Sequence, residues 1–198
     1  MRILLVRHAE TEGNRKGIFL GSIDESLNEN GRKQAEKLAK RLKKEKIDVI
    51  FSSKLKRAKE TAEIINKYHK LPIKFDELLK ERNFGIFQGR PKEEFFNALK
   101  ESGKEFHEFL PEKGESCQEV QNRSIKFFNK VVKKYQNKTV LVVTHASVIV
   151  ELLFYLTKLP REEFKKLKQD KASLNIIEVT KNKEVKVKVI NDTKHLKK

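Results

Sequence analysis

The chain has one cysteine, Cys117, in 198 residues. A single thiol excludes an intrachain disulfide and a cysteine-based metal cluster. Long apolar runs are also missing. The longest, Val148 to Leu156, is broken by Glu151, whereas a membrane span needs ~20 apolar residues. No apolar targeting segment with a cleavage site precedes the first strand-like residues, so the expected location is the cytoplasm. There is no internal repeat and no linker-like stretch, which points to one domain spanning residues 1–198 with a core of its own. Acidic residues are scarce beside basic ones: 28 Asp and Glu against 45 Lys and Arg leave a formal net charge of +17. The lysines are scattered through every segment rather than gathered in one arm. Such a surface fits heat adaptation, as do the single Met and single Cys. It also fits long-range attraction of anionic substrates. No nucleic-acid motif accompanies the charge, which argues against nucleic acid as a partner.

Proline occurs only four times, at positions that punctuate the chain. Ile3 to Val6 reads as a buried strand ending on Arg7 and His8. Residues 9–29 are polar and irregular. A helix follows, with Asn28 placed to cap it and Ala35, Leu38, Ala39 and Leu42 on one face. Ile47 to Phe51 is a short strand ending at Ser52-Ser53. The next helix spans roughly 54–69, with Ser53 as its expected cap, Arg57 in its first turn and Ala58, Ala62 and Ile65 on one side. Leu71-Pro72 ends it, and Ile73 to Phe75 is a third strand. Residues 76–90 are a loop carrying Glu81, Arg82, Gly85 and Gly89. Pro91 opens a helix rich in aromatics, with Phe95, Phe96, Phe106 and Phe109. Gly103 marks a break in it. These rings are either a core stripe or a lid over a ligand pocket. Pro111 begins a turn, and Ser116-Cys117-Gln118-Glu119 is a capping box for a helix whose face carries Val120, Phe127, Phe128 and Val131. Cys117, in the first turn, is open to a lowered pKa there, but no base pairs with it, and it reads as a bystander. Thr139 to Thr144 is an apolar strand ending on His145, followed by an apolar helix over Ala146 to Leu156. Pro160 opens a short amphipathic segment. Leu174 to Val179 and Val185 to Ile190 read as an antiparallel hairpin at the sheet edge. The tail Lys194 to Lys198 reads as frayed.

Strands alternating with helices predict a three-layer α/β/α sandwich, with a mainly parallel central sheet and an antiparallel edge strand. Ligands of such sheets sit at strand C-termini. If the first strand neighbours the one from Thr139, His8 and His145 emerge at the same edge. Two imidazoles, the guanidiniums of Arg7 and Arg57, and the carboxylate of Glu81 then suit a phosphoryl group passing through a phosphohistidine. Arg7, Arg57 and His145 would hold the oxygens. His8 would attack with one ring nitrogen while a backbone carbonyl fixes the other. Glu81 would protonate the departing alkoxide and later deprotonate water. Cations do the neutralising, so no metal and no other cofactor is required.

The motifs that carry these residues resemble those of the histidine phosphatase superfamily, the phosphoglycerate mutase-like family. Leu5 to Thr11 with Asn14 is similar to its nucleophile motif, and Asp24 to Leu27 with Gly31 and Gln34-Ala35 to the segment after it. Ser52 to Ala58 with Thr61-Ala62 resembles the second-arginine motif, and Leu79 to Gly85 with Gln88-Gly89 the general-acid loop. Gly114-Glu115-Ser116 and Val143 to Ala146 resemble the last two. The resemblance implies the roles above for Arg7, His8, Arg57, Glu81 and His145, and makes Asn14 a secondary phosphate contact. Gly21, Ser22 and Arg90 are expected at the pocket rim. Arg82 is expected either to pair with Glu81 or to touch substrate. His69, His107 and His195 match no motif.

Ala9 and Ala146 stand where the family often has Gly, and Glu151 where many relatives carry Arg. Ile18-Phe19-Leu20-Gly21 lacks the polar residues usual in sugar-phosphate mutases, and the region after Glu81 is shorter than in phosphoglycerate mutases. A mutase must enclose its monophosphate and exclude water; a phosphatase needs water admitted. The expected activity is therefore hydrolysis of a small phosphorylated metabolite. Phosphoglycerate mutase activity is the alternative, and a basic nucleic-acid or protein-binding module with a vestigial pocket is the other. Alpha-ribazole phosphate, sugar phosphates, phosphoglycerates and phosphorylated proteins are the candidate substrates. The closing hairpin offers an edge for a homodimer.

Overall fold

The computed structural model describes residues 1–197. Its elements run β1 (Arg2–Arg7), α1 (Glu12–Arg15), α2 (Glu29–Leu42), β2 (Val49–Ser52), α3 (Lys56–Asn66), β3 (Ile73–Phe75), α4 (Lys92–Glu101), α5 (Cys117–Lys134), β4 (Thr139–Thr144), α6 (Ala146–Thr157), β5 (Leu174–Val179) and β6 (Val185–Asp192). The six strands form one sheet in the order β3-β2-β4-β1-β5-β6. The first four in that order are parallel, β5 runs antiparallel to β1, and β6 closes the edge as a hairpin with β5.

Parallel strands buried on both faces read as unbroken apolar runs, and their side chains alternate between the two layers. Ile3 and Leu5 of β1, with Val140 and Val142 of β4, pack against Val120, Phe127 and Val131 of α5 and Ile149 and Leu153 of α6. Leu4, Val6, Leu141 and Val143 point the other way, onto Ala35, Leu38 and Leu42 of α2 and Ala58, Ala62 and Ile65 of α3. The result is the expected three-layer sandwich. Small residues on α2 and α3 let those helices lie close. At Gly31, in the first turn of α2, a Cβ would overlap the Glu10 carbonyl oxygen. No described helix is long and apolar enough to cross a membrane.

Among the described helices, α1, α2 and α5 are capped locally and α3 by a distant residue. The Asn28 side chain accepts from the Gly31 amide at the start of α2, and Ser116 and Glu119 complete the capping box of α5. The cap expected from Ser53 does not form. α3 begins at Lys56, two residues later, because Asp24 reaches over from a distant loop and its Oδ1 accepts from the Lys56 amide at 2.6 Å. Pro91 is the residue before α4 rather than its first. Phe106 and Phe109 lie beyond the end of α4, in the turns that follow. The four-residue helix α1 lies inside a segment read as irregular, its end capped by the Thr11 side chain. Nor is the C-terminal tail frayed up to Leu196. Lys194–Leu196 forms a 3-10 turn, and Arg41 of α2 pairs with Asp192 at 2.6 Å beside it. Lys198 lies outside the described residues.

Leu141 is fully buried at the centre of the sheet. Leu141→Ala is expected to lower the unfolding free energy in urea by about 2–5 kcal/mol. No measurable loss would contradict the packing described.

Candidate active site

The first long helix after β1, α2, covers one face of the sheet, and the helix after β4, α6, covers the other. Chains leaving two adjacent parallel strands in opposite directions open a crevice at their C-terminal ends. Arg7 pairs with Thr144 across that boundary, and the His8 amide donates to the Thr144 carbonyl at 2.9 Å. The register therefore sets His8 beside His145. Their ring centroids lie 5.0 Å apart, with the planes tilted by 58°.

His8 Nδ1 lies 2.7 Å from the Ala9 carbonyl oxygen. A carbonyl only accepts, so Nδ1 carries the proton and Nε2 holds a lone pair. Burial, then the charges of Arg57 and Arg7, hold the His8 pKa well below the usual histidine range. Burial, followed by Arg57, His8 and Arg7, does the same to His145. Neither His145 ring nitrogen has a partner among the described residues.

The two guanidiniums are fixed by backbone carbonyls rather than by carboxylates. Arg7 Nη1 donates to Gln169 at 2.7 Å, while Arg57 donates from Nη1 to Ile23 and from Nη2 to Gly21, both at 2.7 Å. Gly21 holds its carbonyl there with φ +53, a conformation that favours glycine. Each guanidinium keeps a buried Nε without a partner, as does the Asn14 side-chain oxygen. Thr61 ties α3 to the end of β1: its hydroxyl donates to the Arg57 carbonyl at 2.7 Å and accepts from the Ala9 amide at 3.1 Å. Glu81 is 8% exposed. Its Oε1 accepts from the Arg82 amide at 2.9 Å and from the Ser147 amide, at the N-terminus of α6, at 3.2 Å.

Arg7, His8, Asn14, Gly21, Arg57, Glu81 and Arg82 all line one cavity of about 320 Å³. His145 is fully buried beside His8, and its neighbours Ala146 and Ser147 reach the cavity wall. Ser22 does not line it; the residue is exposed and its amide donates to Gln88 at 2.6 Å. Arg90 is likewise outside, 3.4 Å from Glu94. Arg82 does not pair with Glu81 through its side chain. Its nitrogens donate to the Glu115 and Phe109 carbonyls at 2.8 Å each and to Cys117 Sγ at 3.2 Å. Arg82 thus braces the wall from behind. Burial raises the Cys117 thiol to about 12, opposite to the shift its helix position implies, and it stays inert. The aromatic segment is both core and wall: Phe95 is fully buried, whereas Phe96 and Phe106 line the cavity. Ser147, Gln169, Lys92 and Lys168, which also line it, carry no pattern that marks them in the sequence.

Both imidazoles are held below their ordinary range, so the unfolded chain takes up protons that the folded one does not once the pH falls below about 6.5. The stability they contribute is complete above that pH and is lost on acidification. In phosphate-free buffer, the unfolding free energy is expected to drop between pH 7 and 5. The double variant His8→Gln, His145→Gln is expected to show a shallower slope. An identical slope in both proteins would contradict the neutral assignment.

Comparison with known proteins shows the family. The family model for the histidine phosphatase superfamily (branch 1) matches residues 3–193. The chain is 34% identical over 200 residues to phosphoserine phosphatase 1 of Hydrogenobacter thermophilus, covering 99% of this chain and 94% of that one. Among solved structures, Bacillus stearothermophilus YhfR superposes with a TM-score of 0.91 at 31% identity, over 99% of both chains. A mutant phosphoserine phosphatase from Entamoeba histolytica, solved in complex with phosphoserine, gives a TM-score of 0.87 at 26% identity, over 98% of both. With two histidines facing each other at the end of paired parallel strands, and a family model spanning nearly all of its length, the chain belongs to the histidine phosphatase superfamily, branch 1, and is a phosphomonoesterase.

Proposed function

We propose that the chain hydrolyses small phosphomonoesters through a phosphohistidine on His8. One observation carries this reading: His8 Nε2 is freed as a nucleophile by the Nδ1 bond to Ala9, among buried nitrogens of Arg7, Arg57 and His145 that have no partner among the described residues. Unpaired buried polar groups are costly unless something fills the gap between them. A phosphoryl group supplies the missing acceptors.

In the first step, the Nε2 lone pair forms a bond to phosphorus as the bond to the ester oxygen breaks. The Glu81 carboxyl gives its proton to the departing alkoxide. Water then attacks phosphorus, Glu81 takes the water proton, the N–P bond breaks and phosphate leaves. Arg7 and Arg57 neutralise charge on the phosphoryl oxygens without a metal. Asn14 supplies a further polar contact. The phosphatase names of the relatives support hydrolysis over isomerisation.

His8→Ala is expected to reduce turnover of p-nitrophenyl phosphate by at least about a thousandfold, as loss of a nucleophile does elsewhere. Activity is expected to survive a chelator. Retained activity in His8→Ala, or abolition by chelator, would contradict the proposal. Glu81→Gln is expected to slow alkyl phosphates more than p-nitrophenyl phosphate, because nitrophenolate leaves without a proton. Equal losses on both would remove the acid role. With 3-phosphoglycerate the expected product is free phosphate, and conversion to 2-phosphoglycerate alone would reveal a mutase.

A further inference from the structure

The cavity that begins at His8 and Glu81 continues into a wall of aromatic rings drawn from separate segments. Phe19, from the loop after α1, stacks on Phe84 with centroids 4.1 Å apart. Phe106 lies parallel to Phe164 of the 3-10 segment Arg161–Leu167, 6.4 Å apart at 5°. Phe96 of α4 faces the same space. Phe96 and Phe164 remain 48% and 47% exposed. Phe95 and Phe87, immediately behind, are core. Rings left half-wet on a cavity wall present apolar surface that only a ligand would cover.

The charged groups of the wall sharpen this. Its carboxylates are Glu81 and Glu151. Glu81 is held by two amides beside the reacting centre. Both oxygens of Glu151 accept from Arg161 Nη1, at 2.9 and 2.8 Å. Glu151 is thereby committed to Arg161, and Glu81, held through Oε1, stands at the reacting centre, where the phosphatase reading uses it for proton transfer. Lys92 and Lys168 add two more cations to those of Arg7 and Arg57. An amino group on the leaving side would meet the repulsion of these cations, an arrangement that works against such a ligand.

We propose that the substrates of this site are phosphomonoesters whose alcohol is an apolar, flat body without an ammonium group, such as arylalkyl phosphates, and not phosphorylated amino acids. The inference rests on the phosphatase reading above, with the phosphoryl group at His8 and the alcohol directed along the aromatic wall.

Comparison of kcat/KM for 2-phenylethyl phosphate, ethyl phosphate and O-phosphoserine tests it. The first two release alkoxides of similar basicity, so their ratio reads contact of the ring in the transition state rather than leaving-group ability. The expected ratio of phenylethyl to ethyl ester is at least about tenfold, the scale set by filling an apolar pocket. O-Phosphoserine is expected to fall below both. Phe96→Ser and Phe164→Ser remove rings that are already half exposed, so folding is not at stake, and each is expected to bring the ratio towards one. A wild-type ratio near one, a preference for O-phosphoserine, or a ratio untouched by both substitutions would overturn the assignment while leaving the phosphatase reading intact. Failure to hydrolyse any of the three esters would instead remove the phosphatase reading itself.

Discussion

Parallel pairing of β1 with β4, with Arg7 set against Thr144, is the constraint on which the site depends. A one-residue slip in that register would turn every side chain of β1 to the opposite layer, exchanging the α5–α6 face for the α2–α3 face. The apolar alternation along Ile3 to Val6 and Val140 to Val143 forbids the slip, because both faces are fully covered. The same packing that stabilises the sheet therefore sets two imidazoles side by side at its edge. Fold stability and catalytic geometry share one cause here.

That edge is a concentration of unmet demand. Two guanidiniums and two neutral imidazoles are buried within one crevice, and the carboxylate among them, Glu81, is turned to backbone amides through Oε1. The arginines are oriented by carbonyls of Gly21, Ile23 and Gln169, so their positions are fixed without cancelling their charge. Ion pairing with carboxylates would neutralise the field an anion needs. Burial of histidines serves the same end: desolvation keeps the nucleophile deprotonated at neutral pH, and the nearby cations reinforce it.

Short-range patterns carried most of the layout. Apolar periodicity marked the strands and the helices of both layers, the motif Ser116 to Glu119 marked a real capping box, and strand ends marked Arg7, His8 and His145. Contacts between distant segments were not legible. Asp24 displaces Ser53 as the cap of α3 across 32 residues of chain. Arg82 spends its donors on carbonyls 27 and 33 residues away, which no local spacing reveals. Gln169 positions Arg7 through its backbone carbonyl, a group every residue possesses, so the side chain gives no sign of it. For Cys117 the bystander reading stands, and the lowered pKa that its helix position leaves open does not arise, because helix position is local whereas the burial that dominates the thiol is tertiary.

Everything in the chemical account follows from one ring nitrogen being occupied and the other free. The bond from Nδ1 of His8 to the Ala9 carbonyl allows phosphorus to join only Nε2. Rapid quenching of the enzyme during turnover, followed by NMR of the trapped protein, distinguishes the two phosphohistidine isomers and identifies the residue. The account predicts phosphate on Nε2 of His8. Phosphate on Nδ1, on His145, or on no histidine at all would contradict it.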